Sequence, residues 1–477
     1  MNSPPFSGNS NVAPYPSACP GLLHIVAARD GGLCRIRLPG GTIEAAQLRA
    51  LASAAERHAN GPVEVTNRAN LQLRGIRTGH ETALSQALLE AGLGPAGRGE
   101  RSHADAHAAD ARRNLMLSPV AGRDPDALID TRELAASLLD VLQNEPRFAA
   151  LSPKFAVQLD GGERLAMLEH PHDIWLSAQP DETGVSFAFG LAGCPWSDLD
   201  EAGRNMQNPE RRTRHGTPAL GIVEREQVPA LLAALLHAFL DLATPPQPRM
   251  RDLLCTHPAA SILQHAQTYL DFQPRPVRAW TRRIADPALR FGPHPQRTAG
   301  QWWVGGQPPL GRLDTRTVHA LAELAHASSA LATVAVTPWQ SILIPDLAET
   351  AVAPTLAALE QLGFICDPQA PYAGLIACAG SSGCVKARAD TKADARYLAE
   401  HLPHRRPTAL ELHLSGCERS CAAAHCAAHT LVAVAPGHYD FYERDGGAGF
   451  GRLVAHHVSL EAIKTALIPS ARSPVDV

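Results

Sequence analysis

Four cysteines in this chain form two spaced pairs: Cys378 and Cys384 in CAGSSGCVKA, and Cys417 and Cys421 in SGCERSC, with five and three residues between partners. Thiolates are soft ligands, and four of them suit either a tetrahedral zinc ion or a cubane iron-sulfur cluster. Structural zinc pairs are usually ~2–4 residues apart, which the second pair satisfies and the first does not, so the spacing favours the cluster. Four unrelated buried thiols are the competing account. Cys19, Cys34, Cys194, Cys255, Cys366 and Cys426 are scattered and read as small buried hydrophobes, although Cys426 is close enough in sequence to substitute as a ligand.

Each pair follows a strand-like run, GLIAC or LELHL, so the sulfurs leave strand ends on short loops able to converge. Helix 390–401, strands TLVAVA and YDFYERD and helix 459–467 complete an iron-sulfur α/β domain over 369–477. Further back the chain is duplicated. GTIEAAQLRALASAAERHA from Gly41 aligns with GRLDTRTVHALAELAHASS from Gly311, and PVEVTNRANLQLRGI aligns with ATVAVTPWQSILIPD after a one-residue slip. Two copies so far apart cannot stack as a solenoid, so pairing about a pseudo-twofold axis is expected. The copies occupy 21–95 and 301–368. They differ in chemistry: Arg68, Asn70, Gln72 and Arg74 face Trp339, Ser341, Leu343 and Pro345 in the alignment, which implies one ligand-facing strand and one packing strand. Between them, 96–243 reads as an α+β domain with strands FAVQLD, RLAML, DIWLSA and VSFAFG, and the Pro/Arg-rich 244–300 as an extended linker. Residues 1–20 read as a disordered tail.

Composition narrows the partners. A net charge of −4 and no Lys/Arg-rich run argue against non-specific nucleic-acid binding. No apolar stretch approaches the ~18 residues of a membrane span, and the start lacks a secretion signal, so a cytoplasmic protein is expected, in which ten cysteines do not form a disulfide framework. Lysine occurs only at Lys154, Lys386, Lys392 and Lys464, while Arg is abundant. With Ala abundant too, compositional bias is one account. Arg forks gripping the carboxylates of an acidic ligand are the other.

These motifs resemble the sirohaem-dependent nitrite and sulfite reductases, whose cluster is held by a C-x5-C pair and a later S/T-G-C-x3-C pair. TNRANLQLRG, ARRNLMLSP and LSPKF are similar to that family's Thr-x-Arg-x-Asn-x-Gln, Arg-Asn and Lys-Phe segments. The resemblance implies an α+β fold of duplicated ferredoxin-like halves about a pseudo-twofold, with α/β domains carrying a [4Fe-4S] site on Cys378, Cys384, Cys417 and Cys421. It also implies that Arg68, Arg113 and Lys154 point at a tetrapyrrole and its reacting ligand. The chain departs from the reductases where their second Lys becomes Ala156, where their His becomes Arg74, and where Glu418, Arg419 and Ser420 separate the second thiol pair. Those departures, with ACPGLLHIV, LPGGTIEAAQLRAL and HTLVAVAPGHYDFYERDGGAG, resemble the precorrin-3B synthase branch of the superfamily. That branch implies an O2-dependent monooxygenase that hydroxylates precorrin-3A with lactone formation, with a mononuclear non-haem iron beside the cluster. Sirohaem belongs to the alternative, an assimilatory nitrite or sulfite reductase; a non-catalytic electron carrier ranks last. Lys154 and Arg113 are then catalytic candidates, and Arg68, Asn70, Gln72 and Arg74 bind substrate. His413, His425, His429 and Glu418 crowd the second thiol pair, but none is assigned to iron. No G-x-G-x-x-G follows a strand, so a separate electron-donor protein is expected.

Overall fold

Leu48, Leu51, Ala52 and Ala55 repeat at the i, i+3, i+4, i+7 spacing of one helical face, and Val318, Leu321, Ala322 and Ala325 do the same in the second copy. In the computed structural model, which describes residues 19–95, 102–182, 184–199, 213–277, 280–403, 410–423, 427–445 and 449–467, both sets are fully buried where helices Ala45–His58 and Thr315–Ser328 pack together. Each fully buried Leu contributes roughly 1.5–3 kcal/mol of transfer free energy, whereas the rim pair Arg49–Glu323 (2.7 Å) is exposed and worth about 1 kcal/mol at most. Most of the expected tail, 1–18, lies outside the described residues, as do His425 and Cys426.

The first half builds a sheet in the order Val26–Ala28, Gly31–Ile36, Leu71–Ile76, Val63–Val65, closed by Arg312–Leu313 from the second half. The second half repeats this with Gly292–Pro295, Gln301–Gly306, Ile342–Ala348 and Thr333–Val336, closed by Thr42–Glu44 from the first half. This reciprocal exchange of a closing strand is the arrangement a pseudo-twofold produces. At the crossing Gly41 has φ +73°, and a Cβ there would lie 2.3 Å from the Val336 carbonyl oxygen, so only glycine fits. Matching bulges, between Gly32 and Cys34 and between Trp302 and Val304, make Leu33 and Trp303 equivalent positions of the two halves.

A second duplication, which the sequence reading missed, joins the remaining segments. Leu115–Met116, Val157–Asp160 and His172–Asp181 run parallel and continue antiparallel into Gly184–Gly193 and Gly221–Glu224. Leu375–Ala377, Leu412–Ser415 and His429–Ala435 also run parallel and continue antiparallel into His438–Glu443 and Arg452–Ser459. Helices Arg132–Asn144 and Thr391–His401 connect the first two strands of each unit, and Val228–Leu242 and Leu460–Leu467 follow the last.

Three expectations differ from the structure. RLAML is not a strand, because Gln158 Nε2 donates to the Met167 carbonyl and Ser118 Oγ to that of Leu165, holding the segment as a buried loop. The 244–300 segment is not simply extended: helices Met250–Leu254 and Ala259–Ala266 bury Met250, Leu253 and Ile262 in the middle core. Of the scattered cysteines, Cys34 and Cys194 are buried, Cys19 and Cys366 partly so, and Cys255 is exposed.

Candidate functional site

Parallel pairing of Leu375–Ala377 with Leu412–Ser415 brings two strand C-termini side by side, and both thiol-bearing loops start there. Cys378 directly follows the first strand; a single helical turn, Gly380–Gly383, carries the chain to Cys384. Gly416 and Cys417 follow the second strand, and Ser420, at φ +51°, turns the backbone before Cys421. The Gly416 N–H donates to Cys378 Sγ at 3.1 Å, and Thr391 Oγ1 lies 3.4 Å from the same sulfur. A Cβ on Gly416 would sit 2.6 Å from that of Ala387, so the close approach requires glycine.

All four thiols are free and line one cavity of about 500 Å³. Burial, then the charges of Cys378, Cys417 and Cys384, pushes the Cys421 thiol above its ordinary range. Among the described residues no three His, Cys, Asp or Glu side chains form a group able to hold a single metal ion. Four thiols, N–H donation to one of them and a shared cavity fit a four-thiolate cluster, in which such hydrogen bonds tune the potential. His413, His429 and Glu418 do not assemble an iron site either.

The opposite wall comes from the first half. Gln72 donates to Glu64 (2.6 Å) and Arg312 Nε does so at 2.8 Å, while Arg35 reaches Gln72 at 3.5 Å. Burial alone would raise the Glu64 carboxyl, but the charges of Lys392, Arg312 and Arg74 outweigh it and hold the group below the usual carboxylate range. The cavity is strongly cationic, with Arg29, Arg35 and Arg74 from the first half and Lys386, Lys392 and Arg419 from the C-terminal unit. Of these, sequence reading had singled out Arg74 alone for the site. Arg35 lies directly across the strand pair from Gln72, a register that alternation in CRIRL could have suggested. Lys392 had no signal beyond the rarity of lysine.

The residues expected to bind substrate part into two places. Gln72 and Arg74 line the thiol cavity. Arg74, however, is committed to protein groups: its guanidinium grips Asp30 with two bonds (2.8 and 2.9 Å) and donates to the Gly383 carbonyl at 2.7 Å, tying the first thiol loop to the sheet. Arg68, Asn70 and Arg113 instead surround a separate water-sized cavity with Asn114, Ala156 and His172. There Asn70 Oδ1 accepts the Leu38 N–H at 2.8 Å and Arg113 Nη1 donates to the Leu93 carbonyl at 2.9 Å. Burial, reinforced by Arg249, lowers Arg68 to about 10. Burial, reinforced by Arg68, lowers His172 to about 3 against the raising effect of the His170 backbone. Lys154 is exposed and lines neither cavity, but its neighbours Pro153 and Phe155 accept from Asn114 Nδ2 at 2.7 and 3.2 Å, which anchors it beside the smaller one.

Comparison with known proteins places these features. The nitrite and sulphite reductase 4Fe-4S domain matches residues 108–273, and the nitrite/sulfite reductase ferredoxin-like half domain matches 26–91 and 294–362. The matched 4Fe-4S segment is the middle unit; the four grouped thiols lie in its topological twin, outside the matched ranges. A precorrin-3B synthase from Sinorhizobium sp is 30% identical over 88% of this chain and 81% of its own length. A ferredoxin–nitrite reductase from Synechococcus elongatus is 28% identical over 82% and 73%. The NirA protein of Mycobacterium tuberculosis superposes with a TM-score of 0.71 at 20% identity, covering 91% of this chain and 79% of that one, which shows the fold.

Proposed function

The chain belongs to the nitrite/sulfite reductase family, and from that footing we propose that it is a precorrin-3B synthase, an oxidoreductase that hydroxylates precorrin-3A with O2 while a ring acetate closes a lactone. The observation that carries this reading is the cationic cavity between the first half and the thiol loops, set beside a smaller pocket in which Ala156 leaves no second lysine for proton supply. Similarity across most of both chains to a precorrin-3B synthase supports it.

Cys378, Cys384, Cys417 and Cys421 would hold the [4Fe-4S] cluster, which supplies one-electron transfer. The chain's own residues bind and orient. Arg29, Arg35 and Arg419 offer forks for the macrocycle's carboxylates, each able to form two parallel hydrogen bonds. Gln72 and Glu64 brace the floor beneath. Arg68 and Arg113 would hold a single anionic oxygen in the smaller pocket, with Asn70 accepting the Leu38 N–H to fix the turn that carries Arg68, and Lys154 would supply a proton from beside it. One oxygen atom enters the substrate and the other leaves as water, drawing an electron pair that a separate donor protein must supply and two protons that come from solvent. The described residues assemble no mononuclear iron site, and no step is assigned to one.

A sirohaem-dependent nitrite reductase is the second reading, favoured by the 28% identity to the cyanobacterial enzyme. Two measurements separate them. The purified chain should show a broad brown shoulder without a Soret band, and turnover of precorrin-3A under labelled dioxygen should place label in the product. A Soret band with nitrite reduction and no labelled product would reverse the choice.

A further inference from the structure

Lys392 takes no part in gripping substrate, yet it is the second residue of the helix Thr391–His401, is buried, and lines the thiol cavity while donating to the Leu310 carbonyl. Thr391 before it donates to the Cys378 carbonyl at 2.9 Å, which fixes this end of the helix against a cluster ligand. Burial, helped by Arg312 and Arg74, lowers the Lys392 ammonium to about 8 against the opposing charges of Glu64 and Cys378, so it carries its charge below that pH. In the middle unit Arg132 follows Asp130 and Thr131 just as Lys392 follows Asp390 and Thr391. Arg132, half exposed, turns back onto Asp130 at 2.6 Å instead. The inward-facing cation therefore occurs in the unit that carries the thiols.

A cation held in a low-dielectric wall beside four thiolates stabilises whichever state of their cluster carries more negative charge. We propose that Lys392 is a positioning charge that raises the reduction potential of the cluster on Cys378, Cys384, Cys417 and Cys421, with Glu64 partly offsetting it. The step concerned is addition of one electron from an external reductant, with no bond formed or broken. The inference rests on the cluster reading above.

The test is a potentiometric titration of the full chain with reconstituted cluster at fixed pH, following the electron paramagnetic resonance signal of the reduced state. At the potential where half of the wild-type cluster is reduced, Lys392→Met should lower the reduced-to-oxidised ratio about tenfold, equivalent to ~59 mV for a one-electron couple. Lys392→Arg should keep the ratio near wild type, and Glu64→Gln should raise it severalfold. If Lys392→Met cannot retain a cluster, Glu64→Gln decides: a rise supports the assignment and an unmoved midpoint overturns it. Variants with intact clusters that titrate like wild type also overturn it, while the cluster reading survives. A folded wild-type chain that yields no cluster signal overturns both.

Discussion

The middle and C-terminal α/β units share one strand order but meet their ferredoxin-like halves in opposite ways. Ser415-Gly416-Cys417-Glu418-Arg419 leaves its strand where Asp160-Gly161-Gly162-Glu163-Arg164 leaves the equivalent one, so Gly162 stands for Cys417. On the facing halves, Leu33, Glu64 and Gln72 line an open cavity, whereas their counterparts Trp303, Ala335 and Leu343 are buried against Met116, Val120, Leu165 and Met167. Behind that apolar plug, Asp160 is locked to Arg282 at 2.6 Å, and Arg123 to Asp346 at 2.8 Å. The same gap is thus closed by packing in one unit and left polar and hollow in the other. Both units keep an apolar core of their own, and it is only at the contact with the facing half that one is plugged and the other hollow.

The sharpest way to break this comparison is Cys417→Ser. If the thiols share one cluster, the variant should lose essentially all cluster iron and its brown absorbance; wild-type iron content by metal analysis would end the parallel between cluster and plug. Trp303→Ala comes next. Trp303 is fully buried with its indole N–H on the Leu289 carbonyl at 3.1 Å, so emptying the plug should cost about 3–5 kcal/mol in urea denaturation while iron per folded chain stays constant. A variant that lost iron in proportion would show that the two interfaces are not independent.

The smallest effect is in the pH profile. Burial, then Asp160, raises the Glu163 carboxyl to about 8 from the ordinary 4.5, so the folded chain binds a proton that the unfolded chain releases over that window. Stability from this group is therefore present near pH 4.5 and declines as pH rises toward 8. Glu163→Gln, which mimics the neutral acid, should flatten that decline in the thermal midpoint.

How much of this was legible in the chain follows from the range of each interaction. The helix faces of the two halves were readable because residues three and four apart meet on one side whatever surrounds them. The thiol pairs were readable because their spacing and strand context are local. Arg74 shows where such reading stops: its alternation with Gln72 and Asn70 gave the residue type a place on the strand, but Asp30 and the Gly383 carbonyl, which claim its guanidinium, are remote in sequence. The second duplication left only short echoes, G-x-E-R after one strand and Asp-Thr before a cation at one helix start, since strands buried against different partners kept topology and lost side-chain identity.

By itself, then, the amino-acid order determined that the two ferredoxin-like halves repeat, that four sulfurs sit in two spaced pairs after strands, and that the first half carries a polar strand where the second carries Trp339, Ser341, Leu343 and Pro345. Only the tertiary structure decided which of two matching glutamates is buried, Glu163 rather than Glu418, and which of two matching cations turns inward, Lys392 rather than Arg132. The physical reason is that a side chain's charge and contacts are set by what long-range strand pairing brings against it. Neighbours along the chain leave those partners open.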